Sequence, residues 1–172
     1  MKEITYKIYN KEEITDDIAD DFLKLLKKQE KVRNPNTNKI KLCRQIILCY
    51  VENNFAGIGA LKPKTRSDFN ILKADLPNLE EKFEWELGYF YTDPNYRKLG
   101  IASIMTKLLL YGKENENFLA TTEIYNTNPM IYILEKHGFR QCGKVWKSTI
   151  HDGVIGLFLK INEGQIIKNE NK

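Results

Sequence analysis

The residues with the clearest chemical use form a short basic turn, Tyr96-Arg97-Lys98-Leu99-Gly100-Ile101-Ala102-Ser103. An apolar, strand-like run over 83–92 precedes it, and an amphipathic, helix-like run over 101–113 follows it. A strand, a tight turn with glycine and a helix start together make an anion site. The first turn of a helix leaves N–H groups without partners, and the helix dipole places partial positive charge there. Gly100 has no side chain to hold a phosphate off the backbone. Arg97 and Lys98 add positive charge at the rim, and small Ala102 keeps the first helical turn uncrowded. The chemistry this suits is the cradling of a diphosphate. Spacing alone also admits a plain strand–helix turn with a glycine cap and solvated basic residues.

Other chemistry-bearing residues are scattered. His137 and His151 stand apart, and no cluster of His, Cys or carboxylates has metal-ligand spacing, so no metal is expected. Gly57-Ile58-Gly59 is a lone Gly-x-Gly inside a strand and reads as a bulge rather than a dinucleotide site. Cys43 and Cys49, six apart in one strand-like run, are expected to share a face as small buried hydrophobes.

The elements that must position the basic turn follow from periodicity. Residues 4–9 alternate as a strand, and a helix capped by Thr15 follows, with aspartates in its first turns and lysines late. Residues 33–39 read as a loop, 45–51 and 55–62 as a strand hairpin. Segment 63–82 is polar and reads as a long loop with room for a short helix. After the basic turn and its helix come a strand over 118–125, a helix from the Asn128-Pro129 start to Gly138, and two strands over 139–149 and 153–161. The order β-α-β-β-β-α-β-α-β-β predicts an α/β layer fold with a mixed sheet.

The chain has 172 residues, a net charge of +4, 42% apolar and 29% charged residues. These values fit one globular domain, placed at 1–162, with a polar tail at 163–172. The charge suits an anionic ligand but is too small and dispersed to argue for nucleic acid by itself. Three widely spaced cysteines argue for reduced thiols. The N-terminus has no apolar signal core and no stretch reaches the length of a membrane span, so the cytoplasm is the expected location and no membrane partner is expected.

Arg97-Lys98-Leu99-Gly100-Ile101-Ala102, preceded by "YTDPNY" and followed downstream by "NTNPMIYILEKHGF" over 126–139, resembles the GCN5-related N-acetyltransferases (GNAT), which use acyl-coenzyme A. Their hallmark is Arg/Gln-x-x-Gly-x-Gly/Ala after the fourth strand, and the resemblance covers roughly residues 3 to 161. A two-helix N-terminal half with a following hairpin also fits. The resemblance implies a mixed, mostly antiparallel sheet of about seven strands with flanking helices and a splay between strands 4 and 5.

It also implies roles. Backbone N–H groups of Lys98, Leu99, Gly100, Ile101, Ala102 and Ser103, with Arg97 beside them, would hold the coenzyme pyrophosphate. The backbone of Phe90, Tyr91 and Thr92 would bond the pantetheine arm. The asparagine that contacts the coenzyme in the family maps to Thr127, with Asn126 and Asn128 on either side; Asn128 is equally explained as a helix cap. Acetyl-CoA would be the cosubstrate, an amine the acceptor, and direct attack on the thioester the reaction.

Glu86 is the candidate base, since several family members place a glutamate at that strand position. Strand alternation puts Glu86, Gly88 and Phe90 on one face and Trp85, Leu87 and Tyr89 on the other. A glutamate among aromatics in a central strand is one whose pKa burial can raise, which suits a base. A solvated position or a structural ion pair is the competing reading. The usual acid of the family, a tyrosine, is replaced by Leu134; Tyr125 at the end of the fifth strand is the substitute candidate, and Tyr132 points elsewhere on its helix. Glu123 is a candidate for binding a basic acceptor or for a second base, with a solvated or ion-paired carboxylate as the competing reading. Acidic residues late in 63–82 (Asp75, Glu80, Glu81) would favour a cationic amine if they lined the acceptor groove.

Two other functions fit the same residues. Leu134 supports an acyl-CoA-binding sensor that has lost the chemistry. Acetylation of charged tRNA would want a stronger basic face than +4 supplies. Edge strands and the C-terminal hairpin offer routes to a homodimer.

Overall fold

The computed structural model describes residues 2–162; the expected tail at 163–172 lies outside them. The first strand, β1 (Ile4–Asn10), is followed by α1 (Asp16–Gln29), whose Thr15 side chain caps it by accepting from the Ile18 N–H. Glu30 then takes a left-handed φ of 58° and ends the helix. A short helix, α2 (Thr37–Lys41), begins within the stretch read as a loop at 33–39 and runs two residues past it. Asn36 caps it, its side-chain oxygen accepting from the Lys39 N–H at 3.0 Å.

The hairpin β2 (Gln45–Val51) and β3 (Asn54–Pro63) leads to β4 (Trp85–Thr92), α3 (Ile101–Leu110), β5 (Phe118–Glu123), α4 (Pro129–Lys136), β6 (Arg140–Lys147) and β7 (Val154–Lys160). The seven strands form one sheet in the order β1-β2-β3-β4-β5-β7-β6. Every pairing is antiparallel except β4 with β5.

Helices cover both faces. On one, α3 and α4 bring Ile101, Met105, Leu109 and Leu134 against Ile47, Cys49, Leu61 and Phe118. On the other, α1 and α2 bring Phe22, Leu26 and Ile40 against Ile46, Leu48, Ile58 and Ala60. Burial on both faces explains why β2 reads as a continuous apolar run after Gln45, Ile46-Ile47-Leu48-Cys49-Tyr50-Val51. Each such side chain, fully buried, contributes about 1.5–3 kcal/mol by transfer alone.

The two cysteines do not share a face. Cys49 packs on the α3 side and Cys43 on the α1 side, because Cys43 lies before β2 begins and strand alternation does not reach it.

Segment 63–82 is folded onto the sheet. Its turns (Arg66–Phe69 and Pro77–Lys82) bring Phe69 into a third apolar cluster with Ala74, Phe83, Leu119, Leu157 and Leu159. β6 clamps it in place: Lys144 donates its N–H to the Ala74 carbonyl at 2.9 Å, and a Cβ at Gly143 would lie 2.1 Å from the same oxygen. At φ +71°, Gly143 sits where only glycine meets both the conformation and the contact.

Candidate active site

The site starts at a break in the sheet. β4 and β5 pair only through Trp85 with Phe118 and Glu86 with Leu119. Beyond that point β4 continues to Thr92 while β5 continues to Glu123 along β7, so the two splay apart.

On its other edge β4 carries a bulge. Ala60 pairs with Gly88 but Ile58 pairs with Tyr91, so β4 has an extra residue there, and Tyr89 takes φ +59°. The bulge overturns simple alternation beyond Gly88. Tyr89 packs on the α1 side, edge-on to Phe22 and beneath the Lys62 ammonium, which lies 5.4 Å from its ring centre. Phe90 turns to the α3 side, where its ring fills the space that Gly59 leaves; a Cβ on Gly59 would meet that ring at 2.9 Å. Glu86 and Phe90 therefore lie on opposite faces. The Phe90 carbonyl accepts from Gln29 Nε2 at 2.7 Å, which ties α1 to the bulge. Burial pushes the Tyr89 phenol well above its ordinary pKa.

After β4, Asp93 caps the turn Pro94–Tyr96 and the chain enters the basic loop. Lys98 and Gly100 take φ +65° and +75°. No side chain caps α3, and its first backbone bond runs from the Ile104 N–H to the Gly100 carbonyl at 3.0 Å. Among the described residues, the N–H groups from Lys98 through Ser103 have no backbone acceptor outside the helix. A Cβ built on Gly100 meets nothing within 4 Å. An open turn with orphan donors and two adjacent cations fits a pyrophosphate.

A cavity of about 1670 Å³ runs from this turn through the splay to the other side of the sheet. Every residue expected at the site lines it except Leu99, which is 38% exposed outside it. Its far end holds Glu86, 3% exposed. Glu86 Oε2 accepts from Lys62 Nζ at 2.5 Å and from the Thr65 N–H and hydroxyl, each at 3.2 Å; Oε1 accepts from the Thr121 hydroxyl at 3.3 Å. Lys62 and Glu86 stand directly opposite in the β3–β4 register, which places their side chains together. Oε2 is crowded by three donors, whereas Oε1 meets one hydroxyl and lies 3.7 Å from where a Gly88 Cβ would be. Gly88 leaves that side of the carboxylate open.

Sequence reasoning did not find Asp68. It lies in the segment 63–82, is 6% exposed, lines the cavity, and accepts from Lys73 Nζ at 2.6 Å. Burial raises its pKa, against the pull of Lys73. Lys73 also lies over the Trp146 ring. Thr65, Thr121, Lys73 and Gln29 were missed in the same way. Thr65, Thr121 and Gln29 act through partners 21 to 61 residues away, and Lys73 pairs with Asp68 five residues before it; none carries a local signature.

Glu123, at the end of β5, is paired: Lys31 donates to Oε2, and His151 Nδ1 lies 3.1 Å from Oε1. Tyr125 is 48% exposed at the cavity wall. Tyr132 is 68% exposed and is not among the lining residues, whereas Leu134 is fully buried beside the cavity. Asn128 acts as the cap of α4: its oxygen accepts from the Met130 N–H at 3.0 Å, while Nδ2 donates to the Thr122 hydroxyl and the Glu123 carbonyl. Thr127 is an exposed lining residue. Asp75 and Glu80 do not line the cavity and pair with Lys144 and Lys64, and Glu81 does not line it either. Among the described residues no group of three or more His, Cys, Asp or Glu is placed to hold a metal, and no helix is long and apolar enough to cross a membrane.

A parallel pair that opens into a cavity, with an uncapped helix start at its mouth, is the architecture of an acyl-coenzyme A transferase. The sequence pattern of the acetyltransferase (GNAT) family matches residues 11–139, and the chain belongs to that family. Acyl-CoA-dependent acyl transfer is the class of activity that membership carries.

Solved structures agree on the fold. FeeM, an N-acyl amino acid synthase from uncultured soil microbes, superposes with a TM-score of 0.67 at 12% identity, covering 94% of this chain and 92% of that one. An acyl-CoA N-acyltransferase from Pseudomonas aeruginosa gives 0.64 at 10%, covering 92% and 99%. A GNAT-family acetyltransferase from Streptococcus pneumoniae gives 0.62 at 12%, covering 92% and 98%. No curated protein matches the chain.

Proposed function

We propose that the protein transfers an acetyl group from acetyl-CoA to a primary amine by direct attack in a ternary complex. The observation that carries this reading is the continuity of one cavity from the orphan N–H groups of α3, through the β4–β5 splay, to the buried carboxylate of Glu86. The N–H groups of Lys98 through Ser103, with Arg97, hold the pyrophosphate. The free edge of β4 at Tyr91 and Thr92 and the N–H of Phe90 offer backbone partners to the pantetheine arm, while the Phe90 carbonyl is taken by Gln29. Bound acetyl-CoA supplies the thioester.

Glu86 acts as the base. An amine must lose its proton to attack, and an alkylamine has a pKa near 10. The open Oε1, with the Thr121 hydroxyl beside it, receives that proton directly or through water. The ammonium of Lys62 and the Thr65 N–H anchor Oε2 and fix the carboxylate's orientation. Tyr125 is the candidate to return a proton to the departing thiolate, since buried Leu134 has none to give. The reaction is expected in the cytoplasm.

The crowding of Oε2 and the loss of an acid at Leu134 favour a second reading, a sensor that binds acyl-CoA without turning it over. Thioester cleavage measured over a broad amine panel separates the two. Amine-dependent release of free thiol supports the transferase. Tight coenzyme binding with no release across the panel, and a Glu86→Gln variant that behaves like the parent, supports the sensor.

A further inference from the structure

The walls of the cavity on the acceptor side of the splay carry more positive than negative charge. Lys31, Arg33, Lys39, Lys62, Lys73 and Lys147 line it against Asp68, Glu86 and Glu123. All three carboxylates are already matched, Asp68 by Lys73, Glu86 by Lys62, and Glu123 by Lys31. The three remaining cations, Arg33, Lys39 and Lys147, meet no carboxylate among the described residues.

They come from two elements that touch. Arg33 follows α1 and donates Nη2 to the Thr149 hydroxyl in the β6–β7 turn at 3.2 Å. Lys39 of α2 donates to the Arg33 carbonyl at 2.7 Å, which holds the loop and the short helix together. Lys147 ends β6, two residues before Thr149. Most of the Arg33 donors remain available, and a guanidinium presents them in a planar fork that matches a carboxylate. Exposed apolar side chains line the same cavity: Leu42 is 54% exposed, Leu72 83% and Ile150 45%.

We infer that the acceptor amine carries a carboxylate and an apolar substituent, with the carboxylate bound by Arg33, Lys39 and Lys147. This rests on the transferase reading for the identity of the groove, and it names the acceptor class, amino acids with apolar side chains. A purely cationic amine would bring a further positive charge to a surface with no unpaired carboxylate to receive it. The acidic residues that would have favoured such an amine, Asp75, Glu80 and Glu81, do not line the groove.

The test uses leucine, leucinamide and isopentylamine with the full chain and acetyl-CoA. Rates are corrected for the neutral-amine fraction, and binding of each amine to the coenzyme complex is followed by NMR line broadening. Leucine is expected to exceed the other two by about 10-fold in kcat/KM, or in affinity, which corresponds to about 1.4 kcal/mol. The double variant Arg33→Ala/Lys39→Ala should lose that preference and keep its acetyl-CoA affinity. Leucine binding without turnover would sink the transferase reading and uphold only the chemical class of ligand that the groove takes. Equal use of leucinamide, an unchanged preference in the variant, or no amine bound at all would overturn the inference. A fall in acetyl-CoA affinity in the variant would also overturn it, because the cations would then serve the coenzyme's phosphates.

Discussion

Lys62 Nζ lies 2.5 Å from Glu86 Oε2, and the two residues face each other across β3 and β4 with side chains only 12% and 5% exposed. A buried pair of this kind is costly to break, since removing one partner leaves an uncompensated charge, worth about 3–5 kcal/mol. The pair also leaves one carboxylate oxygen pointing at the cavity. Glu86→Gln keeps the shape and removes the proposed base. It is expected to lower kcat by about 100-fold or more while acetyl-CoA affinity stays within about 2-fold. Steady-state kinetics and calorimetry check this, with the melting temperature read alongside. The melting temperature should fall in either case, because Lys62 loses its counter-charge; parallel losses of kcat and affinity would mark Glu86 as a structural anchor.

Gly59 gives way to the Phe90 ring at the point where β4 bulges toward the splay. Gly59→Ala places a methyl 2.9 Å from ring atoms that have to move. Overpacking of this sort costs about 1–3 kcal/mol. The variant should melt earlier and bind acetyl-CoA about 10-fold more weakly, because the displaced ring lies in the bulge that shapes the proposed pantetheine wedge. Unchanged affinity in a destabilised variant would separate the bulge from coenzyme binding.

Burial pushes the Cys43 thiol up to about 12 and the Cys49 thiol up to about 11, and both side chains are fully buried. Cys142 is half-buried, with its thiol raised as well. An aromatic disulfide reagent at pH 8 is therefore expected to modify Cys142 first and to reach Cys43 and Cys49 only as the protein unfolds. Mass mapping of the labelled sites would contradict this if Cys43 or Cys49 reacted within minutes in the native state.

His137 ends α4 with Nε2 buried and unpartnered, near the Ser103 carbonyl in the first turn of α3. Burial depresses its pKa, and Lys136 and Lys107 push the same way. A histidine with a lowered folded-state pKa takes up protons more readily when unfolded. Stability should then fall as pH drops below about 6.5, the ordinary histidine value, and level off below the folded value. Urea unfolding of the parent and of His137→Gln across pH 5–7 tests this; the variant should lose the slope in that window. An identical slope in both would assign the acid sensitivity elsewhere.

Much of the frame was legible in sequence because its signals are local. Thr15, the Asn128-Pro129 pair and the alternation of β1 fix element ends within a few residues, and the basic turn announces the uncapped start of α3. The short α2 escaped because five residues carry too little periodicity to separate a helix from a loop. The faces of β4 were misassigned beyond Gly88 because a bulge is a property of pairing with β3, which one strand's pattern does not contain. The second half of the site stayed hidden for the same reason. Asp68 reaches the cavity through a segment that looks like a polar loop, and its burial depends on Phe69 and Ala74 meeting β5 and β7. The pairing of Lys62 with Glu86 follows from register alone.

The account depends on coenzyme held at the start of α3, and one titration addresses it most directly. Gly100 has a left-handed φ of +75° with open space above it, so Gly100→Ala costs only backbone strain, about 1 kcal/mol, whereas Gly100→Glu adds bulk and negative charge at the proposed phosphate position. Calorimetric titration of acetyl-CoA into the parent and both variants should give binding to the parent, a modest loss in Gly100→Ala and no measurable binding in Gly100→Glu, with all three folded by circular dichroism. Comparable affinity in folded Gly100→Glu would contradict the account.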